Sequence, residues 1–308
     1  MSHWFGFDYI GPPVKRGREE EDVIDIPSDV WVVLAKYLDI NDLKALSGVN
    51  TNLLAILRSN RLASRFTWVI NGRNVDDLLG RPFFRFIQRV KGVDSLQTLE
   101  KVVDNVDRLT HLEIPAYYQG DQVLFTETIT HLNIQRNFGN FDILPKRLEH
   151  LIINNNDFND ELIDLPSRLK SLWIRSNVFN QPLNALPSRL EGLNIVSPVF
   201  NLPVDDLPDT LVVLEIRLAA FDLPIARLPP ALGRIVLNGD FNQPIDAFPP
   251  SLTYVWFGAE FNQPIPPNFP NLKTCLFTSS AFMETNNPLR LPKGIEKVII
   301  EGLHMNYY

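Results

Sequence analysis

From Leu109 onward the apolar residues fall into one recurring pattern, Leu-x-x-Leu-x-Ile. It runs through Leu109-x-x-Leu112-x-Ile114, Ile129-x-x-Leu132-x-Ile134 and Leu148-x-x-Leu151-x-Ile153, and Leu169, Leu190, Leu211, Leu232, Leu252, Leu272 and Ile295 each open another copy. Alternation in the second half of each motif is the period of two that marks a strand with one buried face. The middle positions Leu151, Leu172, Leu193, Leu214 and Ile235 stand 21 residues apart, and Val255 and Cys275 follow at intervals of 20. A unit this short cannot bury its apolar face alone, so the ten copies over residues 108–308 predict one strand each, stacked into a continuous parallel sheet. Between the strands a second element recurs: Phe158-Asn159, Phe179-Asn180, Phe200-Asn201, Phe221-Asp222, Phe241-Asn242 and Phe261-Asn262, usually followed by Pro and then by Leu-Pro or Phe-Pro. Prolines so closely spaced exclude a helix interior. The return path is therefore expected to be extended or turn-like, with the Phe side chains stacked as an internal spine.

Upstream the pattern changes. Residues 65–107 read as an irregular opening or capping repeat, with candidate strands at Phe66–Ile70 and Phe84–Val90 and an amphipathic helix over Ser95–Val106. Residues 23–64 have helical spacing. Ser28 is placed to cap a helix carrying Val30, Leu34 and Leu38; Asn41 or Asp42 starts a second with Leu43, Leu46 and Val49; Leu53, Ile56 and Leu57 mark a third. A module of this size buries little surface by itself and leans on a partner or a neighbouring domain. Residues 1–22 read as a disordered tail, in which the basic Lys15–Arg18 and acidic Glu19–Asp22 form a solvated stretch, with nuclear import as the alternative use of the basic cluster. The expected class is thus α+β: a short three-helix module, then a solenoid with one parallel sheet and non-helical, proline-rich returns.

Composition narrows the function. The 308 residues are 45% hydrophobic and 21% charged, as in a folded protein, and the net charge of -7 gives no broad footprint for nucleic acid or anionic lipid. The single cysteine, Cys275, supports no intramolecular disulfide, and no Asn-x-Ser/Thr sequon occurs, which favours a reducing intracellular compartment, cytoplasmic or nuclear. No apolar run is long enough for a membrane span, so no membrane partner is expected. Zinc spacings, nucleophile motifs and phosphate loops are lacking, so no catalytic residue, metal or cofactor is assigned. His111, His131 and His150 occupy one position in three consecutive units, where either a metal or pH-sensing ladder or a plain repeat consensus of solvent-touching imidazoles would place them.

The period of two also identifies the residues that pave the open sheet face. Between the second and third apolar positions lies the column Glu113, Asn133, Ile152, Trp173, Asn194, Glu215, Val236, Trp256, Leu276 and Ile299. With adjoining positions it yields a candidate target-binding face of His150, Ile152, Trp173, Arg175, Glu215, Arg217, Tyr254 and Trp256. Aromatic anchors mixed with arginine are enriched at binding hot spots, so a protein target of unknown identity is the expected ligand.

Two resemblances add to this reading. Ile26-Pro27-Ser28-Asp29-Val30, with Leu34, Leu38, Leu43, Leu46 and Val49, resembles the F-box motif, although Ile26 stands where Leu is usual and the third helix lacks its frequent Trp. The repeats fall in the 20-to-29-residue range of leucine-rich repeats and resemble the FNIP repeat, seen as Phe-Asn-Gln-Pro at 179–182, 241–244 and 261–264. Together they are similar to a family of F-box and FNIP repeat proteins from social amoebae and their large DNA viruses; a viral member would work in the host cytoplasm. The resemblance implies that Ile26, Pro27, Val30, Leu34, Leu38, Leu43, Leu46 and Val49 dock a Skp-type adaptor of a cullin-RING ubiquitin ligase while the solenoid holds a target. The alternative is a scaffold or decoy that uses the solenoid alone, with the helical segment as its cap.

Overall fold

The computed structural model describes residues 67–80, 84–117, 125–135, 141, 143–278 and 291–300. All ten predicted strands are present: β3 (His111–Ile114), β4 (His131–Ile134), β5 (His150–Asn154), β6 (Ser171–Arg175), β7 (Gly192–Val196), β8 (Val213–Ala219), β9 (Arg234–Gly239), β10 (Tyr254–Phe257), β11 (Thr274–Phe277) and β12 (Lys297–Ile300). Two more precede them, β1 (Thr67–Val69) and β2 (Arg89–Lys91). They form a 12-stranded sheet in strict chain order, and each pair is parallel. Leu151, Leu172, Leu193, Leu214 and Ile235 stand in one register row, so the inward side chains of successive units meet across adjacent strands.

The opening segment differs in detail from the sequence reading. Phe84–Phe86 is a 3-10 turn that buries Phe84, and the strand is confined to Arg89–Lys91. Helix α1 (Val75–Leu79) was not anticipated, whereas α2 (Leu96–Asn105) lies where the amphipathic pattern puts it. Ser95 caps α2, its Oγ accepting from the Thr98 amide at 3.2 Å, and Leu99 and Val102 enter the same core as the strands. The tail, the three-helix module of residues 23–64 and its eight candidate docking residues lie outside the described residues. No described helix is long and apolar enough to cross a membrane.

From β5 to β10 each return opens with an arch that bears Asn or Asp and closes on a proline turn. The Pro145, Pro166, Pro187, Pro208 and Pro229 carbonyls accept from Leu148, Leu169, Leu190, Leu211 and Leu232 at 2.9–3.1 Å, which delivers the chain into the next strand. Proline contributes only its carbonyl there and loses no donor. Phe158, Phe179, Phe200, Phe221, Phe241 and Phe261 are buried, with neighbouring rings stacked 5.7–6.2 Å apart. The polar residue beside each Phe has its own task. The side-chain oxygen of Asn159 accepts from the Asn180 amide (2.8 Å), Asn180 from Asn201 (3.1 Å), Asn201 from Asp222 (3.4 Å), Asp222 from Asn242 (2.8 Å) and Asn242 from Asn262 (3.0 Å). An extended arch has no internal ladder for its N–H groups, and this side-chain ladder supplies the missing acceptors.

The shift from 21 to 20 residues per unit has a visible seat. Leu214 precedes Phe221 by seven positions, but Ile235 precedes Phe241 by six. The extra residue is expelled at a β-bulge between Arg217 and Ala219, where Leu218 is 64% exposed at φ 56. Beyond the bulge the shortened units place Ala219, Gly239 and Gly258 backbone on backbone.

Candidate functional site

The eight predicted target-face residues all project from one face of the sheet, and register pairs Ile152 with Trp173. They separate into two neighbourhoods. On β5 and β6, Trp173 is 42% exposed and Arg175 is open, while His150 and Ile152 are half-buried. On β8 to β10 the side chains have closed on one another around Glu215, which is only 9% exposed. Its Oε2 accepts from Arg217 Nε (3.0 Å) and Nη2 (2.8 Å) and from Asn194 Nδ2 (2.6 Å), and its Oε1 accepts from Arg234 Nε (2.8 Å).

Both guanidiniums also lie on aromatic rings: Arg217 is 5.0 Å from the Trp256 ring centroid and Arg234 is 3.8 Å from that of Tyr254. Arg217 on β8 thereby reaches across β9 to β10, and Val236, between Glu215 and Trp256 in the register, is 0% exposed although it belongs to no part of the main core. Trp256 spends its indole N–H on Thr278 Oγ1 at 3.0 Å. This half of the face is a rigid platform and not an open apolar patch. The sequence reading places Asn194 in the column but not in the candidate binding set, and it does not include Arg234 or Thr278. Arg234 shares the column of His150 and Tyr254, and that was the available signal.

The face also has a charge sign opposite to that of the chain. Among the described strands, Arg89, Lys91, Arg175, Arg217, Arg234 and Lys297 project from it against only Glu113 and Glu215, in a chain of net charge -7.

The three histidines do stack, with ring centroids 3.9 Å apart for His111 and His131 and 4.3 Å for His131 and His150. They are half-buried and not solvent-bathed. Burial, and after it the neighbouring imidazoles and Arg89, push His111 down to about 3 and His131 to about 4; burial also lowers His150. All three are neutral at pH 7. Parallel rings direct their nitrogens alike, so they do not converge on one point, and among the described residues no group of three or more His, Cys, Asp or Glu is arranged to hold a metal.

The ladder makes a prediction. A group whose cationic form is disfavoured by folding binds its proton more tightly in the unfolded chain, so stability is full above the unfolded pKa and falls as pH drops toward the folded value. The urea midpoint should therefore decrease between about pH 6.5 and pH 4, with Arg89 and Lys170 opposing protonation and Glu149 aiding it. His131→Gln should flatten that slope. Glu113, raised by burial, works in the opposite direction just above the usual carboxylate range.

The fold and face together define a parallel, single-sheet β-solenoid of the leucine-rich-repeat type. The family model for the FNIP Repeat matches residues 221–260 and 241–277. Among solved structures the chain is similar to one described as "The crystal structure of CroV588 a novel circular LRR protein structure", at 24% identity and a TM-score of 0.54, over 70% of this chain and 37% of that one. The match thus spans little more than a third of that protein. No curated protein matches the chain.

Proposed function

We propose that the protein is a recognition adaptor: residues 23–64 dock a Skp-type subunit of a cullin-RING ubiquitin ligase, and the open sheet face holds a target protein. The observation that carries the capture half is the juxtaposition of exposed Trp173 and Arg175 with the fixed Arg217–Glu215–Arg234 platform on one face. Side chains already held by neighbours, as Arg217 and Arg234 are, lose little entropy on binding, and Trp and Arg are enriched at hot spots. The docking half rests on the F-box-like residues of the sequence. It gains support from the opening segment, where Trp68, Leu78, Phe84, Leu99 and Val102 join the same core as the solenoid strands.

Co-purification of the full chain with a Skp-type adaptor tests the docking half. The wild type should retain the adaptor, and Leu34→Asp or Leu43→Asp should abolish retention. Retention unaffected by either change, or none by the wild type, overturns it. Deleting residues 1–64 separates this reading from that of a solenoid scaffold with a helical cap. A docking module's removal leaves the solenoid soluble and monomeric, whereas a cap's removal exposes the first strand and causes aggregation.

A further inference from the structure

We propose that the open sheet face binds an acidic segment of its partner protein in polyproline II conformation, with two carboxylates about three residues apart, one taken by Arg175 and the other by the Arg217–Arg234 pair. This rests on the capture half of the function above and specifies its ligand.

The argument begins with charge. The face is basic on an acidic chain, so a polyanionic segment is drawn to the face and repelled by the remainder of the molecule. Geometry then sharpens the match. Two arginines surround one carboxylate at Glu215, which leaves one positive charge uncompensated. Arg217 spends its Nε and Nη2 on Glu215 and Arg234 its Nε. Arg217 Nη1 and both terminal nitrogens of Arg234 have no hydrogen-bond partner among the described residues. Those donors are held by ring stacking below and the Glu215 carboxylate beside them, so little side-chain entropy is lost when an incoming carboxylate binds.

Arg175 stands on β6, two strands from Arg217 on β8. At about 4.8 Å per strand the two are about 10 Å apart, the length of about three residues of a polyproline II segment, whose threefold period also brings residues i and i+3 to the same side. Trp173, on the same face of β6 and 42% exposed, offers apolar contact beside the first carboxylate.

The test is an array of immobilised nine-residue peptides on a Gly/Ser background. Each carries one Leu and two Glu separated by one to five positions, with matched Lys-for-Glu and phosphoserine-for-Glu sets. The arrays are probed with the full chain. Retention should peak at Glu-x-x-Glu, exceed the Lys set at least tenfold, and fall when salt rises from about 0.05 to about 0.5 M. Arg175→Glu removes an exposed side chain that holds no described contact, so it should lower retention tenfold or more without changing the thermal midpoint. Arg234→Lys keeps the charge but not the fork and should weaken retention less.

Equal retention of the Lys set, indifference to Arg175→Glu, or binding by the phosphoserine set alone overturns the proposal. Affinity purification from the native cell, comparing wild type with Trp173→Ala, keeps its failure distinct from that of the capture reading. A partner lost with Trp173 but showing no acidic preference refutes only the ligand class. No partner at all refutes capture itself.

Discussion

Phe200→Ala should destabilise the solenoid by about 3–5 kcal/mol, the usual cost of emptying a buried aromatic site. Phe200 is fully buried between Phe179 at 6.1 Å and Phe221 at 6.2 Å, so its removal opens a void against both neighbours. In a stack whose stability is the sum of unit and interface contributions, one such change weakens two interfaces. Because single domains are stable by only about 5–15 kcal/mol, the loss is a large fraction of the whole. Urea unfolding followed by circular dichroism reads it as a lowered midpoint. Val199→Ala is the control: its side chain is largely exposed and should change stability by about 0.5 kcal/mol or less. Equal effects at 199 and 200 would mean that the Phe column does not hold the units together.

Gly239→Ala and Gly258→Ala should be at least as damaging, by a different route. A Cβ on Gly239 would lie 2.1 Å from the Ala219 carbonyl oxygen, and one on Gly258 would lie 2.2 Å from that of Gly239. Both obstacles are backbone, so relief requires separating strands that are hydrogen-bonded to each other. Overpacking of side chains alone typically costs about 1–3 kcal/mol, and a backbone collision within a ladder lies at or above that range. Gly192→Ala and Gly233→Ala provide the comparison, since the nearest atoms there are 3.9 Å away. The expected outcome is a cooperative, soluble protein for the changes at 192 and 233, and a strongly lowered midpoint or insolubility for those at 239 and 258. Tolerance of Ala at both 239 and 258 would show that the units past the bulge are not packed backbone on backbone.

The main strands were legible because burial on one face imposes a period of two, and a repeated unit writes that period many times over. β1 and β2 escaped full definition because each contributes only one inward residue, Trp68 and Val90, too few to display any period. Phe84 was read as strand because an apolar run looks the same whether it lies in a strand or in a tight turn that buries one of its members.

The open face was legible as a column of residues, but its closure over Val236 was not. Arg217 and Trp256 are 39 positions apart in the sequence and meet only because strands stack at constant register. Likewise the Asn beside each Phe recurs plainly in the sequence. What recurrence does not disclose is that its partner is an amide in the next unit.

That ladder of Asn and Asp oxygens has a direction. In every rung the earlier unit provides the acceptor and the later unit the donor. During synthesis the chain emerges N-terminus first, so each new arch leaves the ribosome to find a finished template whose oxygen already faces it. Assembly in that order gives each rung a ready acceptor, whereas the entrance amides of Asn155, Ser176 and Ser197 donate to Arg175, Val196 and Arg217 of the following unit and are satisfied only when it arrives. The side-chain rungs thus run in the sense in which the chain is translated, and the entrance amides clasp each finished unit to the one that follows.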